Sequence, residues 1–317
     1  MAKASRQTKT LSEMWKMANP KDLRIAISNL SIPYHCQNFF NNLKDAGYNV
    51  DLIQGDIGKV DWKQYDVLWN VGTFLSANTD ILYEMVKKKN RKIRIISFWC
   101  GTDILQLAQF VRYRKKCLPC VIQDVDLHVA DNQLFIKELY ELGVKDVQYV
   151  TLIPEVPLSL KPLPEKERFA VACYVPNERL EFYRFATIVD TATKMPDVEF
   201  YFFRTTGESP LKNCHFLGWV KGKEKLDLFE KCSVALSIPG HGSLSVLCIE
   251  MLQMGRRAIT SEPHPHCLQA QKPSDIIRFL TELKDKASPD EEASKYYREE
   301  YSLKHQLELV ENALKKL

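Results

Sequence analysis

The stretch from Ala235 to Glu262, ALSIPGHGSLSVLCIEMLQMGRRAITSE, holds the residues best suited by type and spacing to do chemistry. A short apolar strand, 234–238, runs into a Pro-Gly-His-Gly-Ser turn and then a helix whose first unpaired amides are predicted at Ser243, Leu244, Ser245 and Val246. Unpaired amides and the helix dipole both favour a phosphate at such a point. Glu250 follows one to two turns in, close enough to accept hydrogen bonds from a hydroxyl of whatever carries that phosphate. The helix is expected to end at Gly255, and 258–260 reads as the next strand. Strand, phosphate-accepting turn, helix and strand make half of a nucleotide-binding βαβ unit.

Three other groups could carry chemistry. Trp99, Cys100, Gly101, Thr102 and Asp103 directly follow the apolar strand 93–98, at the edge where open α/β sheets bind ligands. The plainer alternative is a turn in which Gly101 frees the backbone and Asp103 caps the next helix. Cys117 and Cys120 form a single CxxC with His128 as the nearest partner, which reads as a helix-end turn with reduced thiols. His264 and His266 lie between prolines with no adjoining third ligand, so a surface loop is expected there and no metal site.

The order His241, two small residues, Leu244, Ser245, four residues, Glu250 and then Gly255 resembles the donor-binding segment of glycosyltransferase family 4. That family has the GT-B fold and uses nucleotide sugars. The resemblance implies that Glu250 holds the nucleotide ribose. Family members usually carry an acid eight positions before this glutamate, where this chain has Gly242. The Trp99 to Asp103 stretch is similar to a Trp-His-Gly-Thr-Asp loop of the family, with Cys100 in place of the histidine. In the family, an arginine and a lysine one turn later neutralise the donor diphosphate; Arg179 and Arg184 stand at this place, Arg184 having pairing with Glu181 as its alternative. The segment 215–220 resembles the part that contacts the nucleotide base, which assigns Trp219 and Val220 to it. Asp103 and His241 are the catalytic candidates, although His241 could instead contact the donor sugar or shape the turn. The resemblance also implies transfer with retention, by a front-face route, without metal or cofactor; UDP- and GDP-linked donors both fit.

These residues need elements to position them. Apolar runs at 23–28, 49–53, 65–71, 93–98, 126–130 and 147–153 read as strands of the first half. Helical spacing lies between them at 36–46, 79–90, 105–116 and 132–142. The run 154–164, PEVPLSLKPLP, is proline-rich and reads as a linker. Beyond it, strands are expected at 169–175, 198–203, 215–220, 234–238 and 258–260. Helices are expected at 185–194, 226–232, 243–255, 273–284 and 289–317, with 261–271 as a loop. Alternating strands and helices imply α/β parallel sheets, and with the resemblance a GT-B pair of Rossmann-like domains facing across a cleft. The expected division is a leader at 1–21, an acceptor domain at 22–157 and a nucleotide-sugar domain at 158–317, the terminal helix crossing back to the first.

A chain of 317 residues, 45% of them hydrophobic, suffices for two such domains. Its net charge of +4 resides in the leader, where Lys3, Arg6, Lys9, Lys16 and Lys21 face Glu13 alone. The remainder is balanced, which gives no sign of a nucleic-acid-binding face. The leader could make weak contact with a membrane surface, though a solvated tail is the plainer reading. An odd count of nine scattered cysteines argues for reduced thiols. No apolar run spans a bilayer, so a cytoplasmic protein is expected. The function implied is sugar transfer from a nucleotide-diphosphate donor to a glycan, lipid-linked sugar, protein or modified nucleic acid. A catalytically degenerate nucleotide- or sugar-binding partner protein and a nucleotide-sugar epimerase of the same fold are the alternatives.

Overall fold

The short apolar runs pair laterally into two six-stranded sheets in which every ladder is parallel. The structure, a computed structural model, describes residues 19–29, 33–73, 79–114, 120–152, 158–164, 169–209, 211–286 and 288–317. The chain divides into two compact units, one comprising the residues up to Ile153 with Leu303–Leu317, the other Pro154–Ser302. Residues 1–18 of the basic leader and all of the 154–157 segment lie outside the described residues. No helix among the described residues is long and apolar enough to cross a membrane.

The first sheet contains β1 (Ile25–Asn29), β2 (Val50–Ile53), β3 (Val67–Val71), β4 (Arg94–Trp99), β5 (Leu127–Ala130) and β6 (Val147–Tyr149), in the order β2-β1-β3-β4-β5-β6. Its helices are α1 (Pro33–Asp45), α2 (Thr79–Lys89), α3 (Thr102–Arg114), α4 (Cys120–Gln123) and α5 (Gln133–Glu141). Alternation along the strands sends Ile25, Ile27, Trp69 and Phe98 to one face, against Phe39 of α1. The other face carries Leu68, Ile95 and Trp99, against Tyr83 of α2, Leu107 of α3 and Phe135 of α5. Both faces are thus buried, which is why these strands read as unbroken apolar runs rather than alternating ones.

The second sheet contains β7 (Ala170–Tyr174), β8 (Glu199–Phe203), β9 (Cys214–Gly218), β10 (Val234–Ser237), β11 (Arg257–Thr260) and β12 (Cys267–Gln269), in the order β12-β11-β10-β7-β8-β9. This is the 6-5-4-1-2-3 order of a dinucleotide-binding sheet. Helices α6 (Phe185–Lys194), α7 (Gly222–Lys231), α8 (Val246–Gln253), α9 (Pro273–Lys284) and α10 (Glu291–Glu300) cover it, and α11 (Leu303–Leu314) follows.

Three sequence expectations are corrected here. The 261–271 loop contains the edge strand β12, whose three residues gain their ladder from β11. The single terminal helix is two: Asp290 caps the start of α10 at Ala293 N–H, and Tyr301 leaves helical geometry before α11 begins. That break frees α11 to pack on the first sheet through Val310, Ala313 and Leu314, with Gln306 bonded to Asn42 and to the Thr151 carbonyl. Helix α3 begins at Thr102 rather than Leu105, because the Asp103 carboxylate satisfies the amides at its start.

Candidate functional site

In a parallel sheet all carboxyl ends lie on one edge, and the crevice between neighbouring strands whose connections diverge is the natural ligand site. In the second sheet those strands are β10 and β7, so the turns at 238–245 and 175–184 meet there. The Gly240 amide donates to the Phe182 carbonyl at 2.7 Å, and Ser261 Oγ donates to the Pro239 carbonyl at 2.7 Å. The turn is therefore pinned from both flanks.

Helix α8 starts three residues later than expected. Ser245 is its cap, with its side-chain oxygen accepting from Cys248 N–H, and Ser245 carbonyl accepts from Ile249 N–H. Leu244 is drawn into the core beneath α8, which holds Ser243 and Leu244 in the turn instead of the first helical turn. By helix geometry the amides without an internal acceptor are then those of Val246 and Leu247, while Gly242 and Ser243 border them half-exposed. His241 is half-buried in the same turn.

Glu250 sits one turn in, 3% exposed, with Oε1 accepting from Lys225 Nζ at 2.7 Å. A buried carboxylate needs such compensation, and Lys225, itself partly covered, supplies it from α7. Lys225 was not foreseen: it lies 25 positions away, and only the fold makes it a neighbour.

The two arginines assigned together separate. Arg179 is exposed and stacks its guanidinium 4.0 Å from the Phe182 ring centre, beside the turn that Phe182 braces. Arg184 takes a left-handed conformation (φ 50°) ahead of α6 and donates to the Gln271 carbonyl at 3.3 Å and to its Oε1 at 3.0 Å. Its side chain belongs with the β12 flank, and its bond to Glu181 is a main-chain one.

A third arginine lies at the end of the neighbouring strand β8. Arg204, the first residue after β8, donates to Tyr174 Oη at 3.4 Å, pairs with Glu178 at 3.4 Å and lies 4.5 Å from the Trp219 ring centre. Trp219 is 56% exposed and also has Lys221 Nζ 5.2 Å from its ring, while Val220 packs toward the core. The available signal for Arg204 was its place immediately after a buried strand adjoining β7.

In the first unit, the Trp99 to Asp103 loop is built around a fully buried carboxylate. Asp103 accepts from the amides of Thr73 at 2.9 Å, Cys100 at 3.0 Å, Gly101 at 2.8 Å and Ile104 at 3.0 Å. Burial raises its pKa while those four amides pull it back down. Gly101 is required: its φ is 116°, and a Cβ there would lie 2.8 Å from the Phe135 ring. Asp103 is thus a brace for two loops, with no exposed surface to meet a substrate.

Next to this loop, Trp99 Nε1 donates to His128 Nδ1 at 3.1 Å, and burial lowers the His128 pKa to about 4. A histidine that stays neutral when folded but protonates near 6.5 when unfolded makes the unfolded state bind more protons between those values. Stability is therefore expected to fall as pH drops from about 6.5 to about 4, by up to roughly 3 kcal/mol from this residue. Urea titrations across that range should show a flatter profile for His128→Gln; an identical profile would remove His128 as the cause. Cys117 lies outside the described residues, and no group of three potential metal ligands occurs among the described ones.

No protein-family profile and no curated protein matches this chain. Solved structures do resemble it. Anabaena HepE, in complex with UDP and glucose, is 10% identical with a TM-score of 0.68, over 92% of this chain and 99% of that one. Sucrose-phosphate synthase from Thermosynechococcus elongatus is 10% identical with a TM-score of 0.65, over 91% and 98% respectively. The pneumococcal O-GlcNAc transferase GtfA, in complex with UDP and GlcNAc, is 10% identical with a TM-score of 0.51, over 79% and 56%. At such identities the likeness shows the fold alone: this chain has the GT-B fold, two Rossmann-like domains with parallel sheets.

Proposed function

We propose that the chain is a glycosyltransferase that takes its sugar from a nucleotide-diphosphate donor bound by the second unit. The observation that carries this reading is the start of α8 at the sheet's divergence point, with the buried Glu250 one turn inside it. The amides of Val246 and Leu247 and the Arg179 guanidinium suit a departing diphosphate, on which negative charge builds as the sugar leaves. Glu250 would accept from the ribose hydroxyls, and Trp219 with Val220 would border the base. The complexes of HepE and GtfA with UDP favour a UDP-linked donor among the choices. The donor-type resemblance of 241–255 favours a family 4 enzyme, with the first unit holding the acceptor. In that case transfer proceeds with retention by a front-face route: a donor phosphate oxygen takes the acceptor proton, and neither metal nor cofactor takes part. His241 then faces the donor sugar, and Asp103 shapes the acceptor loop from beneath rather than exchanging protons.

A second reading, a GT-B protein that binds a nucleotide without turning it over, is favoured by Gly242 in place of the family's acid. An epimerase is less well supported, since one of its two acid–base candidates, Asp103, is buried.

The test is a thermal-shift panel of nucleoside diphosphates and nucleotide sugars. Ligand at 100 times its dissociation constant adds about 2.7 kcal/mol to stability. Glu250→Ala is expected to weaken the responding ligand at least tenfold, the loss of about one charge-assisted hydrogen bond. Unchanged affinity removes Glu250 from the site, and no response to any nucleotide sinks the donor reading. Release of free nucleotide in the presence of acceptor separates the transferase from the binding-only protein.

A further inference from the structure

The carboxyl ends of β7 and β8 lie side by side, with Tyr174 opposite Phe203, so the residues that follow them share one rim. Four polar side chains converge there. Arg204 reaches Tyr174 Oη at 3.4 Å, the Tyr174 and Tyr183 rings meet edge to face at 5.4 Å, and the Arg179 guanidinium lies 6.0 Å from the Tyr183 ring. Two cations and two phenols around one point form a cradle of donors for a polyanion. Backbone geometry fixes Arg204 at this rim. It holds a left-handed φ of 61°, its N–H donates to the Gly218 carbonyl, and its own carbonyl accepts from Asn177 N–H at 3.2 Å. A β-strand exit that keeps a non-glycine residue at positive φ does so only when its surroundings enforce it.

One acid already lies in the cradle. Glu178 pairs with Arg204 at 3.4 Å, yet its side chain is 68% exposed and its pairing is that of a surface ion pair, which contributes little. We propose that Arg204, with Arg179, binds the diphosphate of a nucleoside-diphosphate ligand, and that Glu178 is an exchangeable occupant that gives up Arg204 when the diphosphate arrives. This rests on the donor reading of the second unit and assigns the second cation to the exit of β8 instead of to Arg184. A dianionic group that receives a planar guanidinium fork outcompetes a solvated carboxylate, because it offers more acceptor oxygens and more charge. The indole of Trp219, under the same guanidinium, then joins this anion site to the base that Trp219 borders. Lys221 contributes a further cation to the same rim.

Isothermal titration of the full chain with UDP, GDP, the parent nucleosides and inorganic pyrophosphate tests this. Arg204→Gln is expected to weaken the responding nucleoside diphosphate at least tenfold while leaving its nucleoside within twofold, and Arg204→Lys to recover part of the loss. Glu178→Gln is expected to tighten the diphosphate about two- to fivefold. Wild-type binding of a nucleoside diphosphate that Arg204→Gln leaves unaltered would overturn this assignment while the donor reading stands. Pyrophosphate binding that depends on Arg204, with no nucleotide response, would keep the anion cradle and remove the donor reading. Binding of neither would remove both, and no tightening in Glu178→Gln would overturn the role of Glu178. Arg204→Lys, which retains the charge, keeps the test decisive should Arg204→Gln fold poorly.

Discussion

Replacing Asp103 with alanine is expected to destabilise the protein by about 3–5 kcal/mol, the upper range for a single substitution. The fully buried carboxylate satisfies four main-chain N–H groups, three in its own loop and one at Thr73 after β3. Removing it strands several buried donors at once, each costing about 1–3 kcal/mol when left unmade. Asp103→Asn should cost about 2 kcal/mol, because one oxygen can still serve the Cys100, Gly101 and Ile104 amides while the new NH2 opposes Thr73 N–H. Burial raises the Asp103 pKa, so the folded state holds its proton longer than the unfolded one. Stability from this group accordingly declines as pH rises from the unfolded value through the folded one. Both variants should lack that component. Urea unfolding at pH 7 measures the difference directly, and a loss below about 1 kcal/mol for Asp103→Ala would mean that the loops do not depend on the carboxylate.

The central strands were readable because they are apolar runs buried on both faces, and the linker because four prolines fall within eleven residues. What linear spacing could not give is lateral neighbourhood. Arg179 and Arg184 are five apart in sequence, yet Arg184 turns to Gln271, while Arg204 reaches Tyr174 because β8 lies against β7. Lys225 meets Glu250 for the same reason, from α7 rather than from the Glu250 helix. The start of α8 was misplaced because Gly242 and Ser245 both serve as caps by type, and burial of Leu244 decides between them. Strand β12 was missed because three residues between prolines and a helix carry no periodic signal. The Trp99 to Asp103 stretch spans the end of β4, a two-residue turn and the start of α3, and of its two offered roles the burial of the carboxylate favours capping over chemistry.

The other large effect is expected at Arg256, the residue directly after Gly255. Its side chain is 1% exposed and donates to the carbonyls of Lys161 at 3.2 Å, Pro162 at 2.6 Å and Glu230 at 3.3 Å. Burial lowers its pKa, and the guanidinium is held by carbonyl dipoles. The strap at 158–162 receives two more bonds from the same end of α8, Lys161 N–H to the Met254 carbonyl and Leu158 N–H to Gln253 Oε1. Gly255 packs so closely against it that an added Cβ would lie 2.6 Å from Leu160. The helix whose first amides lie at the divergence point of the second sheet is therefore tied at its other end to the proline-rich strap. Arg256→Ala leaves three carbonyls without their donor and a cavity the size of the guanidinium stem, an expected loss of about 3–5 kcal/mol. Arg256→Lys should recover little, since an ammonium on a linear stem cannot span the fork between strap and α7. Urea unfolding gives the energy, and limited proteolysis gives its location: cleavage should appear within 158–164 under conditions where the parent chain resists. A variant that unfolds at the parent's midpoint, with the strap still resistant, would show that packing around Leu160 holds the segment without Arg256.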